Sequence, residues 1–242
     1  MPQSEYVHLT QTFSSLHCII HWRWTLKFSD TGSRNRRRLL NVSELTSDLG
    51  QRICTALLGL HAFTHCNSTS AFRDKGKVRQ IKLLEKTEKY QKILGALGDH
   101  WDVSNTLENE LEAFTCAMFG RKNDTNVDHL RYTILREKCG GRDGKIDINR
   151  NVDLSLLPPC KKSLVQHIHR ANYQVAIWKR SHIAIQNTPK PREDHGWKLD
   201  GRWGYQAKLV LKSCSPRYCC NWGGRFWHKQ WRWYWWKWRA RG

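Results

Sequence analysis

Residues 55–86, TALLGLHAFTHCNSTSAFRDKGKVRQIKLLEK, restrict the possible folds more than any other part of the chain. An apolar run over residues 56–63 enters a polar turn at residues 65–70. A basic, glycine-centred segment follows, Lys75-Gly76-Lys77, and residues 78–84 then place apolar side chains at the spacing of one helix face. This pattern predicts a buried helix, a polar turn, a basic glycine hairpin and a second helix.

The basic hairpin is a candidate phosphate site. Backbone N–H groups at a glycine turn and a helix start favour an anion, and neighbouring lysines add positive charge. The same glycine could equally separate two ordinary helices. A second basic turn lies between strand-like residues 28–32 and 39–42, and we weigh it equally as a solvated turn and as a phosphate contact. The candidate contacts are Lys75, Gly76, Lys77 and Arg79 in the first turn and Arg36, Arg37 and Arg38 in the second.

The net charge restricts the class of partner. The chain has 41 Lys and Arg against 21 Asp and Glu, a formal charge of +20. Residues 221–242 hold only six of the basic residues, so most of the charge belongs to the rest of the chain. Such a balance favours nucleic acid over a membrane surface, although a merely basic surface would share it. No apolar run reaches the ~20 residues of a transmembrane helix, and nothing indicates a protein partner.

The cysteines indicate the compartment. There are nine of them, an odd number without regular spacing, and no signal peptide is recognisable at the start. This favours a reducing, intracellular environment, with the nucleus as one candidate location. Several cysteines lie on apolar helix faces and are expected to be core residues.

Helical periodicity recurs along the rest of the chain. Asn41 and Glu44 have capping-box spacing for a short helix that Gly50 ends. Further helices are predicted over residues 82–97, from Asn105 with Glu108 at the capping-box position, over residues 124–138, and after Pro158-Pro159-Cys160. In the last of these, the apolar face consists of Leu164, Ile168, Ala171, Val175 and Trp178.

The opposite face of that last helix is predicted to be basic and available to a nucleic acid. His167 and His169 suggest a metal pair, but neighbours two apart point to different helix faces, so no metal site is assigned. The basic face consists of Lys161, Lys162, His167, Arg170, Lys179 and Arg180.

The motifs carry a family resemblance. LLGLHAFTHCNSTSAFRDKGK resembles the LHAFTGCDTTSAFFGKGK signature of transposable-element-associated animal proteins, whose N-terminal part is similar to PIN-like and flap-endonuclease-like nucleases. DLSLLPPCKKSLVQHIHRANYQVAIWKRS is similar to that family's LPPC, HI-x-RAN and AIWKR motifs, and HGWK to its GHGWK end. The resemblance extends roughly from Phe28 to Leu211.

The resemblance implies a nuclease site, and the chain departs from it. The family's GCD turn would supply a metal-binding carboxylate, and its GKGK hairpin would grip duplex phosphates. Here Asn67 stands where that Asp is expected, and its neutral amide cannot supply the charge that anchors Mg²⁺. Asp74 replaces a hairpin glycine, which we expect to remove a backbone conformation that glycine adopts readily. An upstream Asp-x-Asp strand is not visible, and Asp30 alone is a weak catalytic candidate.

The termini fit the family least. Residues 1–27 are expected to be a truncated start or unrelated sequence. Cys214, Cys219 and Cys220 resemble the start of a CXC-type zinc domain but are too few to complete a zinc site. Residues 221–242 hold seven tryptophans among six Arg and Lys, which could stack single-stranded bases or bind anionic lipid. We favour the interpretation that this tail is a repeat read in an alternative frame.

Together these features predict an α/β, mostly α fold. A truncated PIN-like layer with a helix-hairpin-helix-like segment would span residues 28–100. A helical region would follow over 101–188, and an irregular basic arm over 189–242.

Three functions stay open from the sequence. The chain is expected to be a catalytically inactive fragment that retains sequence-independent nucleic-acid binding. The alternatives are a metal-dependent, structure-specific nuclease that uses Mg²⁺, and a nonfunctional product of a decayed mobile element. Cofactors are expected only under the nuclease alternative.

Overall fold

A computed structural model describes most of the chain between residues 28 and 208. Predictions for residues 1–27, for Arg36 and Arg37, and for the Cys- and Trp-rich residues 209–242 lie outside the described residues. The described residues are 28–31, 38–140, 152–183, 185, 187–191, 193–200 and 204–208.

An antiparallel hairpin opens the described chain. Strand β1 (Phe28–Thr31) pairs with β2 (Arg38–Asn41), with Phe28 opposite Asn41 and Thr31 opposite Arg38. This confirms the two predicted strands, while the residues between them lie outside the described ranges. Helix α1 (Val42–Leu49) follows directly, and the Asn41 side chain accepts a hydrogen bond from the Glu44 N–H at 3.2 Å. The predicted cap is therefore formed, since an Asn N-cap satisfies an otherwise unpaired helix N–H.

Six longer helices follow along the described chain. Their bounds are α2 (Gln51–Thr64), α3 (Lys77–Glu85), α4 (Glu88–Ala96), α5 (Asn105–Met118), α6 (Val127–Cys139) and α7 (Lys161–Lys179). The described residues are thus mostly helical. No helix among them combines the length and apolar character needed to cross a bilayer.

The prediction of one continuous helix over residues 82–97 is wrong. The helical conformation is interrupted between α3 and α4, where the backbone of Thr87 is extended, with φ −139°. The Gln91 side chain donates to the Leu84 carbonyl at 3.1 Å and so satisfies the end of α3. Both short helices bury apolar side chains in one core.

One helix cap and one helix start differ from the prediction. Helix α5 begins at Asn105 as predicted, but its cap is Ser104, which accepts from the Leu107 N–H at 3.2 Å. Helix α6 begins at Val127 rather than near residue 124, because Asn126 caps it and accepts from the His129 N–H at 2.9 Å. The buried Glu112 carboxylate also accepts from the Val127 N–H at 2.9 Å, so a tertiary contact supplies part of the capping.

Helix α2 lies at the centre of the core. It packs on α4 and α7, and its Phe63 is fully buried against Phe72 and Phe114, with ring centroids 5.4 and 5.8 Å away. One hydrophobic cluster joins the two predicted regions 28–100 and 101–188. It includes Met118 and also Cys54 and Cys116, as expected for core residues.

A second hairpin closes the described chain. A 3₁₀ turn (Glu193–His195) leads into β3 (Trp197–Asp200), which pairs antiparallel with β4 (Gly204–Ala207). Part of the predicted irregular arm is thus regular. Gly196, at φ +77°, packs so closely on α7 that an added Cβ would lie 2.4 Å from the Gln166 carbonyl oxygen. The described sheets are two separate antiparallel hairpins, and the PIN-like layer stays a prediction.

The contact between α2 and α4 gives a test of the packing. A Cβ on Gly59 would lie 2.1 Å from the Leu94 carbonyl oxygen, whereas one on Gly95 would make an ordinary 3.6 Å contact with Thr55. We expect Gly59→Ala to lower the free energy of unfolding by about 1–3 kcal/mol, because the helices must separate. Gly95→Ala, the matched control, should be neutral or raise it by up to about 1 kcal/mol. Urea unfolding measures both, and equal effects would contradict the close packing.

Candidate nucleic-acid interface

Lys77 turns inward instead of presenting its charge to a ligand. Its ammonium lies 2.6 Å from the His65 carbonyl oxygen and 2.9 Å from His61 Nδ1. These atoms belong to the last turn of α2 and its C-cap, where a positive charge is favourable. Lys77 therefore joins the end of α2 to the start of α3, and its role as a phosphate contact stays a prediction.

The environment of Lys77 is electrostatically unusual. Burial lowers the pKa of Lys77 to about 8. Burial, reinforced by the Lys77 charge, lowers the pKa of His61 to about 3. His61 is therefore neutral near pH 7, and its Nδ1 accepts from the ammonium while its ring stacks on Trp178 at 5.6 Å.

The turn before α3 differs from the predicted glycine hairpin. Gly76 has φ −61° and ψ 147°, and an added Cβ would meet nothing within 4 Å. The left-handed residue is Asp74, at φ 58°. The expectation that Asp74 would remove this conformation is wrong, because Asp is among the residues that tolerate it. The turn closes with a hydrogen bond from the Lys75 N–H to the Phe72 carbonyl at 3.1 Å.

Four cationic side chains surround this turn. The Lys75 ammonium lies 4.2 Å from the centroid of the Phe119 ring. Burial lowers the pKa of Lys75, and the nearby charges of Arg79 and Lys138 lower it further, while Asp74 opposes them. The exposed Arg73 precedes them in the chain. We refer to Arg73, Lys75, Arg79 and Lys138 together as the turn patch.

Lys138 was not among the sequence candidates. It lies in the last turn of α6, where a lysine is ordinarily explained by the helix dipole. Its charge lowers the pKa of Lys75, although the two residues lie far apart in the sequence. A local sequence pattern carries no signal for that proximity.

Most residues of the predicted basic face of α7 make internal contacts. His167 is fully buried, and its Nε2 lies 2.7 Å from the Phe63 carbonyl oxygen. Arg170 donates to the Gly196 carbonyl at 3.1 Å, and Lys161 lies 2.7 Å from Glu112.

The basic residues at the C-terminal end of α7 also have partners. Lys179 pairs with Asp99 at 2.6 Å. Arg180 donates to the carbonyls of Gly98 and Asp99 at 2.8 and 2.7 Å. Lys162 remains exposed.

The predicted metal-site residues lie in different elements. Asp30 faces Leu39 across the first hairpin, and Asn67 is exposed in the turn after α2. The neutral amide of Asn67 does not fit a hydrolytic Mg²⁺ site. Within the described ranges, no group of three or more His, Cys, Asp and Glu side chains is placed to hold a metal ion.

His169 lies between the Glu108 carboxylate at 2.8 Å and the Asp194 carbonyl at 2.7 Å, so both ring nitrogens have partners. Arg38 begins β2, opposite Thr31.

Comparison of the chain with protein-family models, curated proteins and solved structures finds no match. The resemblance to transposable-element-associated proteins therefore rests on the quoted motifs and stays a prediction.

Buried His167 gives a pH test. Burial, with a smaller contribution from the Arg170 charge, lowers its pKa from 6.5 to about 3. Between these values the unfolded chain binds the proton and the folded chain does not, so stability is lost as pH falls from 6.5 towards 3. The expected loss from this residue is about 1.4 kcal/mol per pH unit.

Unfolding free energies from pH 7 to 4 would measure this effect. His167→Gln should show a shallower pH dependence than the parent protein, while His182→Gln, at an exposed position, should keep the parent slope. An unchanged slope in His167→Gln would show that His167 is not held neutral.

Proposed function

We propose that this chain binds nucleic acid without sequence preference, through the turn patch, and has no catalytic activity. We further propose that it descends from a PIN-like, transposable-element-associated protein. The main support is the convergence of cations from the turn, α3 and α6 at one place. Like charges held close together repel one another, and a polyanion relieves that repulsion.

The local backbone also favours an anion. No side chain caps α3 at Gly76, and the positive end of the helix dipole lies there. The Phe119 ring restrains the ammonium of Lys75, so less side-chain freedom is lost on binding. The formal charge of +20 adds long-range attraction for any polyanion.

Paired substitutions test the binding site. The full chain should bind a labelled DNA duplex of arbitrary sequence and lose affinity steeply between about 50 mM and 200 mM salt. Lys75→Ala with Arg79→Ala should weaken binding and reduce the slope of log K against log salt by about one per lost phosphate contact. Fluorescence anisotropy at several salt concentrations measures both quantities.

The control must remove the same charge elsewhere. Lys162→Ala with Lys198→Ala does so at two exposed positions on α7 and β3, and its salt slope should stay close to that of the parent protein. Equal losses in the two double variants would indicate binding by net charge alone. A parent protein that shows no binding at low salt would refute the proposal.

A cleavage assay separates binding from catalysis. Incubation of the chain with flap DNA and Mg²⁺ or Mn²⁺ should release no product, because the expected Asp is Asn67 and two-metal hydrolysis needs converging carboxylates. Gel electrophoresis of labelled strands detects cleavage. Product that disappears in Asp30→Ala would instead establish the nuclease alternative.

A further inference from the structure

We propose that Asp153 competes with nucleic-acid phosphate for the turn patch and holds Arg73 away from the bound ligand. The inference rests on the proposed nucleic-acid binding and identifies a residue that limits it. Asp153 precedes a short 3₁₀ helix (Leu154–Leu156) and is the first residue of the DLSLLPPC segment quoted above, where no binding role is assigned to it.

The carboxylate of Asp153 makes direct contact with the patch. Its Oδ2 lies 2.9 Å from an Arg73 guanidinium nitrogen, and the same nitrogen donates to Ser155 Oγ. The Ser155 hydroxyl and N–H donate to Asp153 Oδ1 at 2.5 and 3.0 Å. The 3₁₀ turn thus fixes the carboxylate in position, with one oxygen on its own cap and the other on Arg73.

The charges around Asp153 are those that would surround a phosphate. Hydrogen bonds from Ser155 lower the pKa of Asp153, and the charges of Arg73 and Lys138 lower it further. Lys138 is also near Lys75, whose pKa it lowers. One carboxylate therefore lies among cations of the patch and offers the same anionic oxygen that a nucleic-acid backbone would offer.

The competition is expected to be partial. The side chains of Arg73 and Asp153 are 53% and 46% exposed, and exposed ion pairs are weak and screened by salt. A phosphodiester can therefore displace the carboxylate from Arg73 in only a fraction of the complexes, while Lys75 and Arg79 remain its main contacts. Asp153 would lower the affinity of the patch without abolishing it.

Asp153→Asn tests the proposal, because Asn caps a helical turn as well as Asp does but carries no charge. In the full chain, this variant should bind the labelled duplex about two- to fivefold more tightly at low salt, the range expected from an exposed ion pair. Asp48→Asn removes one charge from an exposed position on α1 and should have a smaller effect. Thermal unfolding checks that each variant folds, and Asp153→Ser, which can also cap the turn, replaces any variant that does not.

The role of Arg73 provides an independent readout. Arg73→Ala should weaken binding less in the parent protein, where Asp153 holds the guanidinium, than in the Asp153→Asn background. The salt slope of Asp153→Asn should also rise by about one, as expected for one additional phosphate contact.

The outcomes separate the two proposals. Binding by the parent protein with equal affinities for Asp153→Asn and Asp48→Asn would overturn the role of Asp153 alone. The same conclusion follows if Arg73→Ala has equal effects in both backgrounds. No binding by the parent protein or by Asp153→Asn would refute nucleic-acid binding, and this inference with it.

Discussion

The described fold depends on the polar side chains of α7 that lie inside the protein. Buried Asn172 accepts from the Gly98 N–H at 2.7 Å and donates to the carbonyls of His100 and Trp101 at 2.9 Å. Together with His167 and Arg170, it pairs loop and helix-end atoms that would otherwise be buried without partners. A buried polar group without a partner costs about 1–3 kcal/mol, so each contact restricts where the neighbouring segment can lie.

This arrangement also holds the segment that carries the turn patch. Phe72 is buried against Phe63 and lies directly before Arg73, while Ser68 donates to Gln174 of α7. Lys77 binds the end of α2 on the other side of the patch. The exposed cations thus project from a segment anchored at both ends, which reduces the conformational entropy that binding would cost.

Features that arise from spacing along one helix were predicted from the sequence, whereas helix ends and turn conformations were predicted less well. The apolar face of α7 is confirmed, since Leu164, Ile168, Ala171 and Val175 are all at most 1% exposed. Helical spacing encodes such a face directly. The break at Thr87 was missed because the residues around it, Glu85-Lys86 and Glu88-Lys89, are good helix formers. The apolar pattern itself is interrupted there, since no apolar residue lies between Leu84 and Tyr90. In the turn before α3, the sequence predicts that only a glycine would adopt the left-handed backbone conformation readily, whereas Asp74 adopts it.

The sequence by itself determined the mostly helical content, the apolar faces and the excess of positive charge, because these depend on composition and on spacing along one element. Only the tertiary structure decided which cations face inward. Lys77, Arg170 and Lys179 bind carbonyls supplied by other segments, and the carbonyls available to each are set by how distant segments pack. The same packing brings Lys138 and Asp153 to the turn patch from positions far along the chain, where no local pattern connects them.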